Sequence, residues 1–189
     1  LESNLTAENY IGMSRGVVNS VDAVVGTESV FDTTTFGILD SVSVYDPDTQ
    51  KTIIAYADRD NGDAVTAVVA TVTGTTFSFG TPVVAHAGSD TEQLGIAYDT
   101  TNDRVVITYK KVDTSNYGTG VVGQVSGTSI TFGTPVVYEA AASSYNAIDF
   151  DANSGKVVIA YMDGGNSNYG TAIVGTVSGT SISFGTPVV

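Results

Sequence analysis

Along the last third of the chain, apolar and polar residues alternate in short runs separated by glycine-rich breaks. The stretch YNAIDFDA (145–152) alternates at period two and predicts a half-buried strand, with Ile148 and Phe150 on one side. NSG (153–155) supplies a hairpin turn, with glycine where a positive φ is expected. KVVIAYM (156–162) is a continuous apolar run and predicts a second strand covered on both faces. After the loop DGGNSNYG come a third strand, TAIVGTV, the turn SGTS, and a fourth strand, ISFGTPVV. Pro187 marks an edge position or a bend late in that fourth strand.

The same text recurs. FGTPVV ends at Val84, Val137 and Val189, and its glycines, Gly80, Gly133 and Gly185, are spaced by 53 and then 52 residues. A degenerate copy, VGTESVF, places Gly26 54 residues before Gly80. The strand-hairpin half repeats as SVYDPDTQKTIIAYAD (43–58), IAYDTTNDRVVITYKK (96–111) and IDFDANSGKVVIAYMD (148–163). Three units therefore cover 31–84, 85–137 and 138–189. Residues 9–30 match the second half of a unit in length, so 1–30 read as an N-terminal half-repeat.

Four short antiparallel strands in about 52 residues have the size of a β-propeller blade, and the fold class expected is all-β. A β-solenoid or a β-sandwich-like repeat array is the alternative. Neighbouring sheets should bury Ile53, Ile54, Val106, Ile107, Val158 and Ile159 together. Three and a half blades are too few to close comfortably, whereas two copies supply seven. The expected partner is therefore the protein itself, as a homo-oligomer or polymer.

Composition sharpens this picture. Twenty Asp plus Glu against seven Lys plus Arg give a formal charge of -13, which repels nucleic acid and anionic lipid. The chain has no apolar run long enough to insert into a membrane as a helix. Cysteine is absent, which excludes disulfides and thiolate chemistry.

The stretch KVVIAYMDGGNSNYGTAIVGTVSGTSISFGTPVV resembles tandem repeats of tail-fibre-like structural proteins of marine phages and metagenomic viral sequences, and LTAENYIG (5–12) resembles a segment of the same proteins. The resemblance covers nearly the whole chain, and the first unit fits least because DNGDAVTAVVATVTG lacks the NYGT step. It implies a virion or extracellular-appendage location and a role in adhesion or host-surface recognition. It carries over no functional residues.

Candidate chemistry is sparse. Asp58, Asp60, Asn61 and Asp63 in one loop, and Asp163, Asn166 and Asn168 in its counterpart, offer oxygen ligands near glycine that would suit calcium. The bidentate glutamate of an EF-hand is missing, and such residues also build ordinary exposed turns. Most of Asp46, Asp48, Asp99, Asp103 and Asp151 read as hairpin caps. Tyr10, Tyr117 and Tyr169, with Asn116 and Asn168 beside them, would stack on and bond to sugar rings if exposed. Tyr56, Tyr109 and Tyr161 recur in every unit and read as packing or a shared structural hydrogen bond.

His86 is the single histidine and reads as a surface residue, with no G-x-S-x-G elbow beside it. No catalytic residue is assigned and no cofactor other than calcium is expected. The function expected is a non-catalytic adhesion or glycan-recognition module. A purely structural building block is the alternative, and a glycoside hydrolase using two carboxylates a minor one.

Overall fold

The computed structural model describes residues 26–88 and 91–189. It is all-β, and its strands are antiparallel throughout. In the first repeat they are β1 (Ile38–Asp46), β2 (Lys51–Asp58), β3 (Ala64–Thr73), β4 (Thr76–Phe79) and β5 (Val83–His86). The second repeat contributes β6 (Thr91–Asp99), β7 (Arg104–Lys111), β8 (Tyr117–Ser126) and β9 (Ser129–Phe132). The third is built from β10 (Val136–Asp151), β11 (Lys156–Asp163), β12 (Tyr169–Ser178) and β13 (Ser181–Phe184).

Each repeat is a meander in which the second strand pairs with the first and third, and the short fourth pairs with the third. The fourth strand expected from FGTPVV is split. Its first half, β4 in the first repeat, ends at Phe79, where the Gly80 N–H still bonds to the Val69 carbonyl at 2.8 Å. Gly133 and Gly185 make the same bond to Val122 and Val174. Thr and Pro then step the chain away, since proline has no N–H to offer the ladder. The strand resumes as β5, which rejoins β3 farther along. In β10 this returning segment runs without interruption through residues 137 and 138 into the next repeat. Its first half pairs with β8 and its second with β11.

Local signals in the sequence account for the turns. Asp46 accepts the N–H groups of Asp48 and Thr49, Asp99 those of Thr101 and Asn102, and Asp151 those of Asn153 and Ser154. These are Asx turns that close each first hairpin, as the sequence led us to expect. The loop before each third strand ends in two left-handed residues: Gly62 and Asp63, Ser115 and Asn116, Ser167 and Asn168. Gly, Asn and Asp tolerate that backbone best.

The sheets stack face to face in chain order. Ile53, Ala55, Val65, Ala67 and Val69 of the first repeat meet Tyr98, Val105, Ile107, Tyr109 and Val121 of the second. From the other side of the second repeat, Val106 and Val122 meet Val157, Val177, Ile182 and Phe184 of the third. The middle repeat is therefore covered on both faces, and β7 is buried from Val105 through Tyr109.

The six aliphatic residues expected to be buried divide by position in the stack. Ile53, Val106, Ile107 and Ile159 are fully buried, but Ile54 is half-buried and Val158 is 37 % exposed. Ile53, Val106 and Val158 occupy the same repeat position and point toward the following repeat. Val158 is open because no following repeat lies on it among the described residues.

Candidate functional site

The acidic loops resolve into turn-building groups. The Asp58 carboxylate accepts the Asp60 N–H and caps the short 3-10 turn Arg59–Asn61. The Asp60 carboxylate accepts the Phe36 N–H at 2.8 Å, and this bond, helped by Thr34, Thr35 and Gly37, lowers its pKa. Asp63 takes up the left-handed backbone, with its carbonyl bonded to Thr91. Asp163 accepts the Gly165 N–H through its side chain, while its carbonyl receives the N–H groups of Asn166 and Asn168. Asn61 is exposed. Among the described residues, no three His, Cys, Asp or Glu side chains converge to hold a metal ion.

Tyr10 lies outside the described residues. Tyr117 and Tyr169 begin the third strands β8 and β12, the first half-buried and the second 55 % exposed. The carbonyl of Asn116 accepts the N–H of Ser143 at 2.9 Å, tying one repeat to the next, as that of Asp63 does with Thr91. Sequence reasoning passed over Tyr145, which is 76 % exposed and sits in a β-bulge of β10 with φ 56°. Tyr117 pairs with Ala142, while Ser143 pairs with Asp163, which pairs in turn with Tyr169. Tyr117, Tyr145 and Tyr169 thus share one end of the stack.

The recurring tyrosines of the second strands form the polar seam between repeats. The Tyr161 hydroxyl donates to the Glu139 carboxylate at 3.0 Å, and the Tyr109 hydroxyl bonds to Nδ1 of His86. Asp32 takes the corresponding place beside Tyr56, whose pKa is pushed up to about 12 by burial and then by the charges of Asp32 and Asp58. Aromatic contacts reinforce the seam: Phe31 lies on Tyr56 and Tyr138 on Tyr161, each with ring centroids 5.3 Å apart. His86 is thus a half-buried joint between repeats rather than a free surface residue. The signal in the sequence was its alignment with Glu139, visible only once the tyrosine was known to face the preceding repeat.

Burial, and next the charge of Lys111, hold the His86 pKa below its ordinary 6.5, with Asp113 opposing them weakly. Burial raises the Tyr109 pKa, so its hydroxyl keeps its proton beside His86. A depressed histidine pKa means that the unfolded chain binds the proton more readily. Stability is then complete above about pH 6.5 and declines as pH falls through the folded-state value. Urea midpoints between pH 7 and 5 should fall for the wild type and stay flatter for His86→Leu. Equal slopes would exclude this joint as the titrating element.

At the opposite end of the first strands, the neighbouring carboxyls of Asp103 and Asp48 influence each other across the first junction, which lifts the Asp103 pKa and lowers that of Asp48. The Asp48 carboxylate also accepts the Tyr98 hydroxyl at 2.9 Å. An open pocket of about 240 Å³ is lined by Glu28, Ser29, Val30, Phe31, Asp32 and Ile38. Fold and site together define an all-β protein of antiparallel repeats whose polar groups serve turns and repeat junctions. Comparison with protein-family models, curated proteins and solved structures found no match.

Proposed function

We propose that this chain is a non-catalytic structural module of an extracellular or virion-surface assembly, its repeats being blades of a β-propeller-like array. The observation that carries this reading is the use made of the recurring polar residues. Candidate Asp and Asn residues are engaged in turns or in backbone bonds from one repeat to the next, and the recurring Tyr109 and Tyr161 bond to His86 and Glu139 of the segments that lead into their repeats. An acidic surface suits an exposed, soluble location, and the resemblance to tail-fibre-like repeats points the same way.

Glycan recognition is the second reading, favoured by the tyrosines gathered at one end of the stack, with Tyr145 and Tyr169 both open. Calcium, if it is used, would enter at the neighbouring 163–168 loop. One comparison separates the two readings. Light scattering over a concentration series should show growth beyond the monomer, and a glycan array with calcium or chelator should show no specific binding. Monomers at every concentration would overturn the structural reading. Array binding that is lost in a Tyr145→Ala, Tyr169→Ala double variant would establish the second.

A further inference from the structure

The loop 58–63 of the first repeat carries a dipeptide that recurs nowhere else in the sequence. Asn61 is the one asparagine followed directly by glycine. It is exposed and ends the short 3-10 turn Arg59–Asn61, and Gly62 behind it is left-handed at φ 65°. The bonds of a 3-10 turn have poorer geometry than those of an α-helix. Such a turn opens locally while the sheets beside it stay folded. Glycine has no Cβ to hinder the approach of its nitrogen to the preceding side chain.

The corresponding places in the other repeats differ. Thr114-Ser115 in the second has no amide side chain, and Asn166-Ser167 in the third has serine after the asparagine. Asp163-Gly164, also in the third repeat, is locked. The Gly164 N–H is bonded to the Ala142 carbonyl at 2.7 Å, and the Asp163 carboxylate accepts the Gly165 N–H. Both groups that would have to react are occupied there.

We infer that Asn61 is a modification site, where the chain deamidates itself through a cyclic imide and thereby loosens the first junction. The Gly62 nitrogen gives up its proton and bonds to the side-chain carbonyl carbon of Asn61, and the side-chain nitrogen leaves as ammonia. Water then opens the imide at either carbonyl, leaving aspartate or isoaspartate. Only water is consumed, and nothing is oxidised or reduced. Isoaspartate routes the main chain through the former side chain and adds one carbon to the backbone ahead of Gly62. Gly62 and Asp63 both hold left-handed backbone, and the Asp63 carbonyl receives the Thr91 N–H at 3.3 Å as well as the Thr91 hydroxyl. Thr91 is 1 % exposed, so a displaced Asp63 would leave its polar groups buried without a partner. The new carboxylate also falls among Asp58, Asp60 and Asp63, whose charges repel it.

The full chain is held at mildly alkaline pH, where a backbone nitrogen loses its proton more readily, and sampled for peptide mapping by mass spectrometry and for urea melts. Asn61→Gln, at an exposed position, is carried in parallel because its longer side chain closes the ring far less readily. Conversion at Asn61 should run several-fold ahead of that at Asn153 and Asn166 and give both isomers. The wild-type urea midpoint should fall as the converted fraction grows, while that of Asn61→Gln holds. Asn153 or Asn166 converting ahead of Asn61 would overturn the site. Conversion at Asn61 with an unchanged midpoint would overturn its link to the first junction. Asn61→Asp separates the two products and should lose less stability than the isoaspartate chain. An equal loss would overturn the route through the displaced backbone.

Discussion

Gly133→Ala should destabilise the protein by about 3 kcal/mol, at the upper end of the range for overpacked sites. The added methyl would sit 1.9 Å from the Thr180 carbonyl oxygen, so the second and third repeats must move apart to admit it. Thr180 cannot yield alone. Its turn is held by the pairing of β12 with β13, and the neighbouring Gly179 carbonyl accepts Nε of Arg104 at 2.9 Å. Gly185→Ala is the control, because the same substitution in the same FGTP context meets only ordinary contact distances. It should change stability by less than about 0.5 kcal/mol. Urea melts of the two variants measure the difference, and equal losses would mean that the glycine is required by the turn rather than by the neighbouring repeat.

Ile53→Ala should cost about 3 kcal/mol, within the usual range for a large aliphatic removed from a packed core. Val158→Ala, at the aligned position, should cost well under 1 kcal/mol, since its side chain is already 37 % exposed. The two residues are each followed by Ile-Ala-Tyr and hold the same place in their strands. They differ in whether another sheet lies on them: the second repeat covers Ile53 with Tyr98 and Ile107. Denaturant midpoints of the single variants test this, and similar losses at both positions would contradict the stacking order.

Much of the candidate site was legible as turn chemistry. Asp46, Asp99 and Asp151 behave as hairpin caps, a role set by a carboxylate and the N–H groups two and three residues ahead of it. Asn116 and Asn168 stand where the backbone is left-handed, again a local requirement that their side chains meet. The polar seam was less accessible. Tyr161 could be seen to recur, but its partner Glu139 is 22 residues away and reaches it only because β10 returns along β8 before entering the next repeat. His86 was misjudged for the same reason, its partner Tyr109 being 23 residues away. Tyr145 was overlooked because a regular alternating strand hides the bulge that turns it outward.

Periodicity, alternation and turn residues are properties of adjacent amino acids, and they specify the all-β class, the strands of each repeat and the hairpin turns. Backbone sterics and side-chain alternation act within a few residues, so one chain suffices to read them. Which aliphatic residues are buried is a different kind of property. Ile53 and Val158 occur in nearly the same text, IIAY and VIAY, yet only the stacking of whole sheets separates a core residue from an open one. The split of the fourth strand, the seat of Thr180 on Gly133 and the bonding of Tyr109 to His86 likewise join segments brought together by folding. Hydrophobic burial and close packing depend on what lies across the gap, and that is set by the arrangement of repeats in space.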